Sequence, residues 1–159
     1  MLIGHQKQWE FLKKKFEANQ LSHAYLFSGS EEADTFFFAK EFAKFINCQS
    51  YKSDGRQICN TDEADGKVKI CQNCKLIEKE NFPDLFIVKS VNSESSIKNE
   101  KDMMEINVSQ IREVNNFLSY KSYYGSFKSV IIDNAERMNS EAQSCFLKTL
   151  EEPKGKTIV

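Results

Sequence analysis

Val130, Ile131 and Ile132 form a continuous apolar run that ends on Asp133. A strand that is apolar at every position has no wet face, so it predicts a sheet covered on both sides, usually a parallel one. Asp133 then falls at the strand's carboxyl end, where open α/β sheets gather their ligand chemistry. Ser140 and Gln143 have capping-box spacing, and Ala142, Cys145, Phe146 and Leu150 recur at helical period before Pro153 stops the pattern. Buried strand, acidic tip, turn and amphipathic helix follow one another within Ser129 to Pro153.

The same alternation runs through the chain. Trp9, Leu12 and Phe16 share one helical face with lysines 13 to 15 beside it, and Ser22 to Gly29 reads as a strand entering a turn. Thr35 to Ile46 predicts a helix with Phe38, Phe42 and Phe45 or Ile46 inward, a stripe that suits a core. Asn81 to Val88 reads as a Pro-Asp turn and a buried strand, and Ile106 to Arg112 leads into a helix carrying Ile111, Val114 and Leu118. Lys154 to Val159 turns into a fourth strand. Strand and helix in alternation predict an α/β fold with right-handed crossovers and a parallel sheet flanked by helices.

With 159 residues the chain suits one domain, and 22 basic against 23 acidic residues leave no global footprint for nucleic acid. The start Met-Leu-Ile-Gly-His lacks the basic and apolar regions of a signal peptide, and no apolar run is long enough for a membrane span. A cytosolic protein is expected. Arg112 and the aromatic, lysine-bearing stretch Tyr120 to Phe127 read as surface and packing residues rather than a nucleic-acid platform. Ser90 to Asp102 reads as a polar loop without an assignable role.

Five cysteines without a secretory signal favour a metal or free thiols over disulfides. Cys71-Gln-Asn-Cys74 is a knuckle that lets two thiolates share one tetrahedral ion, and the upstream Cys48 and Cys59 complete a four-sulfur set. Gln49 to Lys69 is too polar to build a core of its own, so such a site would pin it. A redox pair fits less well beside two further cysteines, and free buried thiols stand as the alternative. Neither His5 nor His23 has ligand spacing.

Val130 to Asn139, followed by Leu147-Lys-Thr-Leu-Glu-Glu-Pro153, resembles the Walker B strand and next helix of bacterial clamp-loader subunits, AAA+ proteins of the DNA polymerase III holoenzyme. The Ala135-Glu136 and Met138-Asn139 pairs resemble the delta-prime type more than gamma/tau. The resemblance extends to Ile46-Asn-Cys48, Cys71 to Ile77 and the Pro83-Asp-Leu85 strand entry. It implies a P-loop NTPase-like domain over 1–159 with a small zinc module inserted at about 48–83. A zinc held by Cys48, Cys59, Cys71 and Cys74 is implied, and the site would be closed and structural. The long gap between Cys59 and Cys71 departs from the family's pattern and leaves Asp62 or Asp65 as alternatives to Cys59.

The resemblance aligns Gly29 with the start of the phosphate loop. A working loop reads Gly-x-x-x-x-Gly-Lys-Ser/Thr, with backbone amides around the phosphates, a lysine on the outer ones and a hydroxyl on magnesium. Here Asp34, Thr35 and Phe36 stand at the glycine, lysine and hydroxyl positions, with Glu31 and Glu32 nearby. Asn134 follows Asp133 where active members carry a glutamate. No ATP is therefore expected at this chain's own site. On the residues alone, Gly29 to Thr35 reads equally as a strand-to-helix turn with acidic residues at a helix start.

The implied role is that of a non-hydrolysing ring member beside gamma/tau and delta subunits, placing the sliding clamp on primed DNA. A strand that stops at Val159 suggests a chain cut short, with the family's arginine finger, lid and collar lying beyond it. The other readings are an active gamma/tau-type ATPase and a zinc-containing nucleic-acid-binding module.

Overall fold

The computed structural model describes residues 5–29, 33–50, 59, 70–92, 104–124, 127–153 and 155–159. The chain divides into two compact units, Met1–Phe82 and Pro83–Val159.

The first unit is built on helices α1 (Gln6–Glu17), α2 (Thr35–Ile46) and α3 (Gln72–Glu78). Leu12 is buried, while Trp9 meets the rings of Phe38 and Phe45 edge-on at 5.9 and 5.4 Å, and Phe16 meets Phe45 at 5.0 Å. The expected stripe on α2 is buried, with Phe38, Phe42, Phe45 and Ile46 all inward. Edge-to-face rings at such separations stabilise beyond the area they bury.

The strand expected over Ser22–Gly29 is not formed. Ala24–Gly29 has no regular secondary structure and joins no ladder among the described residues. Tyr25 and Phe27 point the same way and sit edge-on to Phe42 and Phe38 of α2 at 5.6 and 5.0 Å, leaving Leu26 84 % exposed. Tyr25 and Phe27, two residues apart, thus share one covered side while Leu26 between them faces away.

The second unit holds β1 (Leu85–Val88), β2 (Val91–Asn92), β3 (Met104–Glu105), α4 (Val108–Ser119), β4 (Lys128–Ile132), α5 (Ser140–Glu151) and β5 (Thr157–Ile158). Its main sheet has the order β1-β4-β5 and is parallel throughout. The apolar strand β4 is central, with Leu85 opposite Ser129 and Val88 opposite Ile132. Ile111, Val114 and Leu118 of α4 pack with Ala142 and Phe146 of α5, Val88 and Val130 of the sheet, and Ile106. β2 and β3 form a separate antiparallel pair at the edges of the stretch read as a polar loop; residues 93–103 of that stretch lie outside the described residues.

Local capping sets where the helices begin. Asn107 and Gln110 close a capping box on α4. At α5 the cap is Asn139, whose Oδ1 accepts from the Ala142 amide at 2.9 Å, so Ser140 is the first helical residue rather than the cap its spacing suggested. Among the described residues no helix is long and apolar enough to cross a membrane.

Candidate metal centre and nucleotide-loop residues

Cys48 follows the end of α2, Cys71 caps α3, and Cys74 lies in its first turn. Cys59 comes from the intervening stretch. The four sulfur atoms all lie within 4.8 Å of one another, with Cys48 to Cys59 at 3.2 Å and Cys48 to Cys71 at 3.9 Å. A tetrahedral zinc with bonds of about 2.3 Å would hold its sulfurs roughly 3.8 Å apart. The thiols therefore fit the ion with only small adjustments, and none of the five is in a disulfide. Cys59 and Cys74 are buried, which suits a closed site. Asp62 and Asp65, the alternatives to Cys59, lie outside the described residues, as do 51–58 and 60–69 of the polar stretch.

The thiols also differ in acidity. The hydrogen bond with the Cys74 thiol, against the opposing effect of burial and with help from the thiols of Cys59 and Cys71, lowers the Cys48 pKa to about 5. The hydrogen bond to Cys48 pushes Cys74 up, with burial adding to it, and burial raises Cys59. The Cys71 amide donates to Cys59 Sγ at 3.3 Å, the kind of N–H contact that steadies a thiolate. Cys48 is thus made ready to ionise beside Cys59 and Cys74, which resist it, and a divalent cation would relieve the repulsion between thiolates.

Ion pairs fasten α3 onto α2. Lys40 Nζ donates to the Glu78 carbonyl at 3.0 Å and meets Glu80 at 3.3 Å. Lys44 pairs with Glu41 at 2.6 Å and with Glu78. Burial opposes the Lys44 charge, yet the Glu41 and Glu78 carboxylates hold its pKa above the usual lysine value, and Lys44 in turn lowers that of Glu78. Asn73 Nδ2 donates to the Asn47 carbonyl at 2.9 Å, and Asn47 Nδ2 to the Ala43 carbonyl at 3.1 Å. None of these pairings was read from the sequence, since lysine and asparagine give no signal when they join elements distant along the chain.

In the first unit, Asp34 is the N-cap of α2. Its Oδ1 accepts from the Phe37 amide at 2.8 Å, Thr35 opens the helix, and Phe36 follows half-buried. A helix start presents free amides to an anion, and here the chain's own carboxylate takes one of them. Gly29 is exposed, and a Cβ there would come within 2.7 Å of the Ala33 Cβ, so glycine is needed for close approach. Glu31 and Glu32 lie outside the described residues.

In the second unit, Asp133 continues the ladder, its amide donating to the Val88 carbonyl at 2.9 Å. Asn134 is exposed and has φ 55°, ψ 54°, a left-handed conformation, and the 3-10 turn Ala135–Arg137 follows. Asparagine tolerates that backbone better than longer side chains do. Glu136 and Arg112 are exposed.

The sequence reading missed Asp84, taken only as part of a turn. It is 1 % exposed and accepts from Ser122 Oγ at 2.9 Å and from the amides of Tyr123 and Tyr124 at 2.7 and 2.8 Å. Lys128, also buried, donates to the Phe117 carbonyl and stands 4.1 Å from the centre of the Phe117 ring. Burial lowers its pKa, opposed by the Asp84 charge. Asp84 thus ties the entry of β1 to the loop before β4. Tyr120 and Tyr123 are left exposed on that loop.

The profile of the family described as DNA polymerase III, delta subunit matches residues 4–159. The DNA polymerase III subunit tau/gamma of Haemophilus influenzae is 32 % identical over 152 residues, covering 96 % of this chain and 19 % of that protein. The delta' subunit of Bacillus subtilis is 30 % identical over 149 residues, covering 94 % of this chain and 38 % of that protein. A gamma subunit-related protein of Thermotoga maritima has a similar fold, with a TM-score of 0.52 at 21 % identity over 95 % of this chain and 37 % of that one. The chain therefore spans well under half the length of these relatives.

Proposed function

The chain belongs to the DNA polymerase III delta subunit family, and from that premise we propose that it acts as a non-hydrolysing, delta-prime-like subunit of the clamp loader, helping to place the sliding clamp on primed DNA. Relatives named as delta' and as tau/gamma subunits support a clamp-loader role in general. The observation that carries the non-hydrolysing reading is Asp34. Its carboxylate caps the helix at the position where the family's working loop has glycine, and it puts negative charge where a phosphate would lie. Thr35 and Phe36 supply neither the ammonium nor the magnesium hydroxyl, and Asn134 supplies no carboxylate to orient water. An active gamma/tau-type subunit needs all three.

The four thiols suit a structural zinc. When bound, the ion ties the end of α2 to the start of α3 with four protein ligands and has no open position for catalysis. The protein's work is then scaffolding, in the cytoplasm, through contacts with gamma/tau and delta subunits, the clamp and primed DNA. The direct test mixes the natural full-length protein with gamma/tau and delta from the same source and follows complex formation and clamp loading. Entry into the complex with restored loading is expected; a protein that stays out of it contradicts the assignment.

A further inference from the structure

Asn73 sits between the two knuckle cysteines and is 1 % exposed, a burial that an apolar side chain of similar size would accept without any polar demand. Its Nδ2 donates to the carbonyl of Asn47, the residue before Cys48 and itself 2 % exposed. Asn47 Nδ2 returns to the Ala43 carbonyl within the last turn of α2. A relay of two buried amides therefore runs from the end of α2 to the first turn of α3, and each amide adjoins a cysteine of the cluster. The Asn73 Oδ1 is buried with no hydrogen-bond partner among the described residues, so the side chain is not kept for its full hydrogen-bonding capacity. What it does secure is the separation of two helix ends. Cys48 rides on one of them, and Cys71 and Cys74 on the other.

We infer that Asn73 is a positioning residue of the metal centre: by bridging to the Asn47 carbonyl it holds the Cys48 sulfur at bonding distance from an ion shared with Cys71 and Cys74. This rests on the reading of the four thiols as a zinc site. Groups that orient metal ligands act on affinity through geometry, and their loss typically weakens binding about 10- to 100-fold. An aspartate at this place has the same shape but cannot donate to a carbonyl, and it adds negative charge beside thiolates.

The experiment compares the parent protein with Asn73→Ala, Asn73→Ser and Asn73→Asp, together with Ile77→Val, a change at another fully buried α3 residue outside the relay. Serine keeps a donor too short to span to Asn47, and it replaces alanine should that variant fail to fold. Zinc affinity is read by chelator competition, ligand geometry by the absorption of the cobalt(II)-substituted protein, and packing by the thermal midpoint of the metal-free form. The parent is expected to bind one ion. Asn73→Ala and Asn73→Ser should weaken it by about 10- to 100-fold with an altered cobalt spectrum, and Asn73→Asp by more. Ile77→Val should lower the metal-free midpoint and leave affinity within about twofold. Asn73 variants that keep parental affinity and spectrum, or that lose no more affinity than Ile77→Val, overturn the positioning role alone. A parent that binds no metal overturns the zinc reading and this inference together.

Discussion

Asp34 caps the start of α2, and Asn134 holds a left-handed turn after β4. Replacing Asp34 by Ala removes the cap on the Phe37 amide and should cost about 1 kcal/mol in denaturant unfolding. It should not create ATP binding, because Thr35 and Phe36 remain. Asn134→Glu places a longer side chain at φ 55° and should cost about 1 kcal/mol, whereas Asn134→Gly should be close to neutral in the same measurement. The glutamate would also start from a left-handed turn and not from the strand's direction. Asp84 should matter most among single residues. Asp84→Ala strands the Tyr123 and Tyr124 amides and removes the negative charge that acts on Lys128, a loss on the order of 3 kcal/mol. Amide exchange in the Tyr120–Tyr124 loop should rise with it, and unchanged exchange would show that Asp84 does not hold the loop. Residue-scale features such as these were the least legible in the sequence. An aspartate after proline looks the same whether it ends in water or under three donors.

The elements were legible where one apolar face decides them. α2, α4, α5 and β4 carry dense apolar patterns, and most residues the periodicity picked out are buried; Ile132, Cys145 and Leu150 are only partly so, while Ala43, Lys128 and Ser129 are buried without having been picked out. The pattern was insufficient at Ala24–Gly29, where Phe38 and Phe42 of α2 cover Phe27 and Tyr25 and no ladder forms among the described residues, and at β2 and β3, which are too short to give a signal. The Cys71–Cys74 knuckle was legible through its cysteines, but the helix α3 that carries Cys74, and what joins it to α2, were not. That joint should be acid-sensitive. The Glu78 pKa is lowered first by its hydrogen bond to Lys44, so its contribution is present above the usual glutamate range, near 4.5, and is lost as pH falls through the depressed value. Lys44 and, more weakly, Lys40 are the charges that act on it, and they are shared with Glu41 and Glu80 respectively. Thermal midpoints of the metal-free protein should fall below that range, and Glu78→Gln should flatten the fall; an unchanged pH profile would remove Glu78 from the account. Cys74→Ser should release the metal and raise amide exchange across α3 while leaving β1-β4-β5 protected, and exchange that rises equally in that sheet would contradict a module-level role.

At the scale of the whole molecule, one unit presents a thiol cluster and a self-capped loop, and the other a parallel sheet ending in Asp133-Asn134. The motifs Cys71-Gln-Asn-Cys74 and Leu147 to Pro153 made the family readable from residues alone, because few chains combine them with a buried strand ending in aspartate. Subunit type was less readable. It depends on what is missing from the loop and the strand tip, and relatives of both types match over nearly the same residues. The central claim is that this subunit works without binding nucleotide at its own site, and equilibrium titration of the natural full-length protein with labelled ATP and magnesium tests it most directly. The account predicts no saturable binding up to the millimolar range typical of the weakest specific ligands, about 1 mM. Saturable binding at about 1 μM, about 4 kcal/mol tighter, would contradict it and restore the ATPase reading.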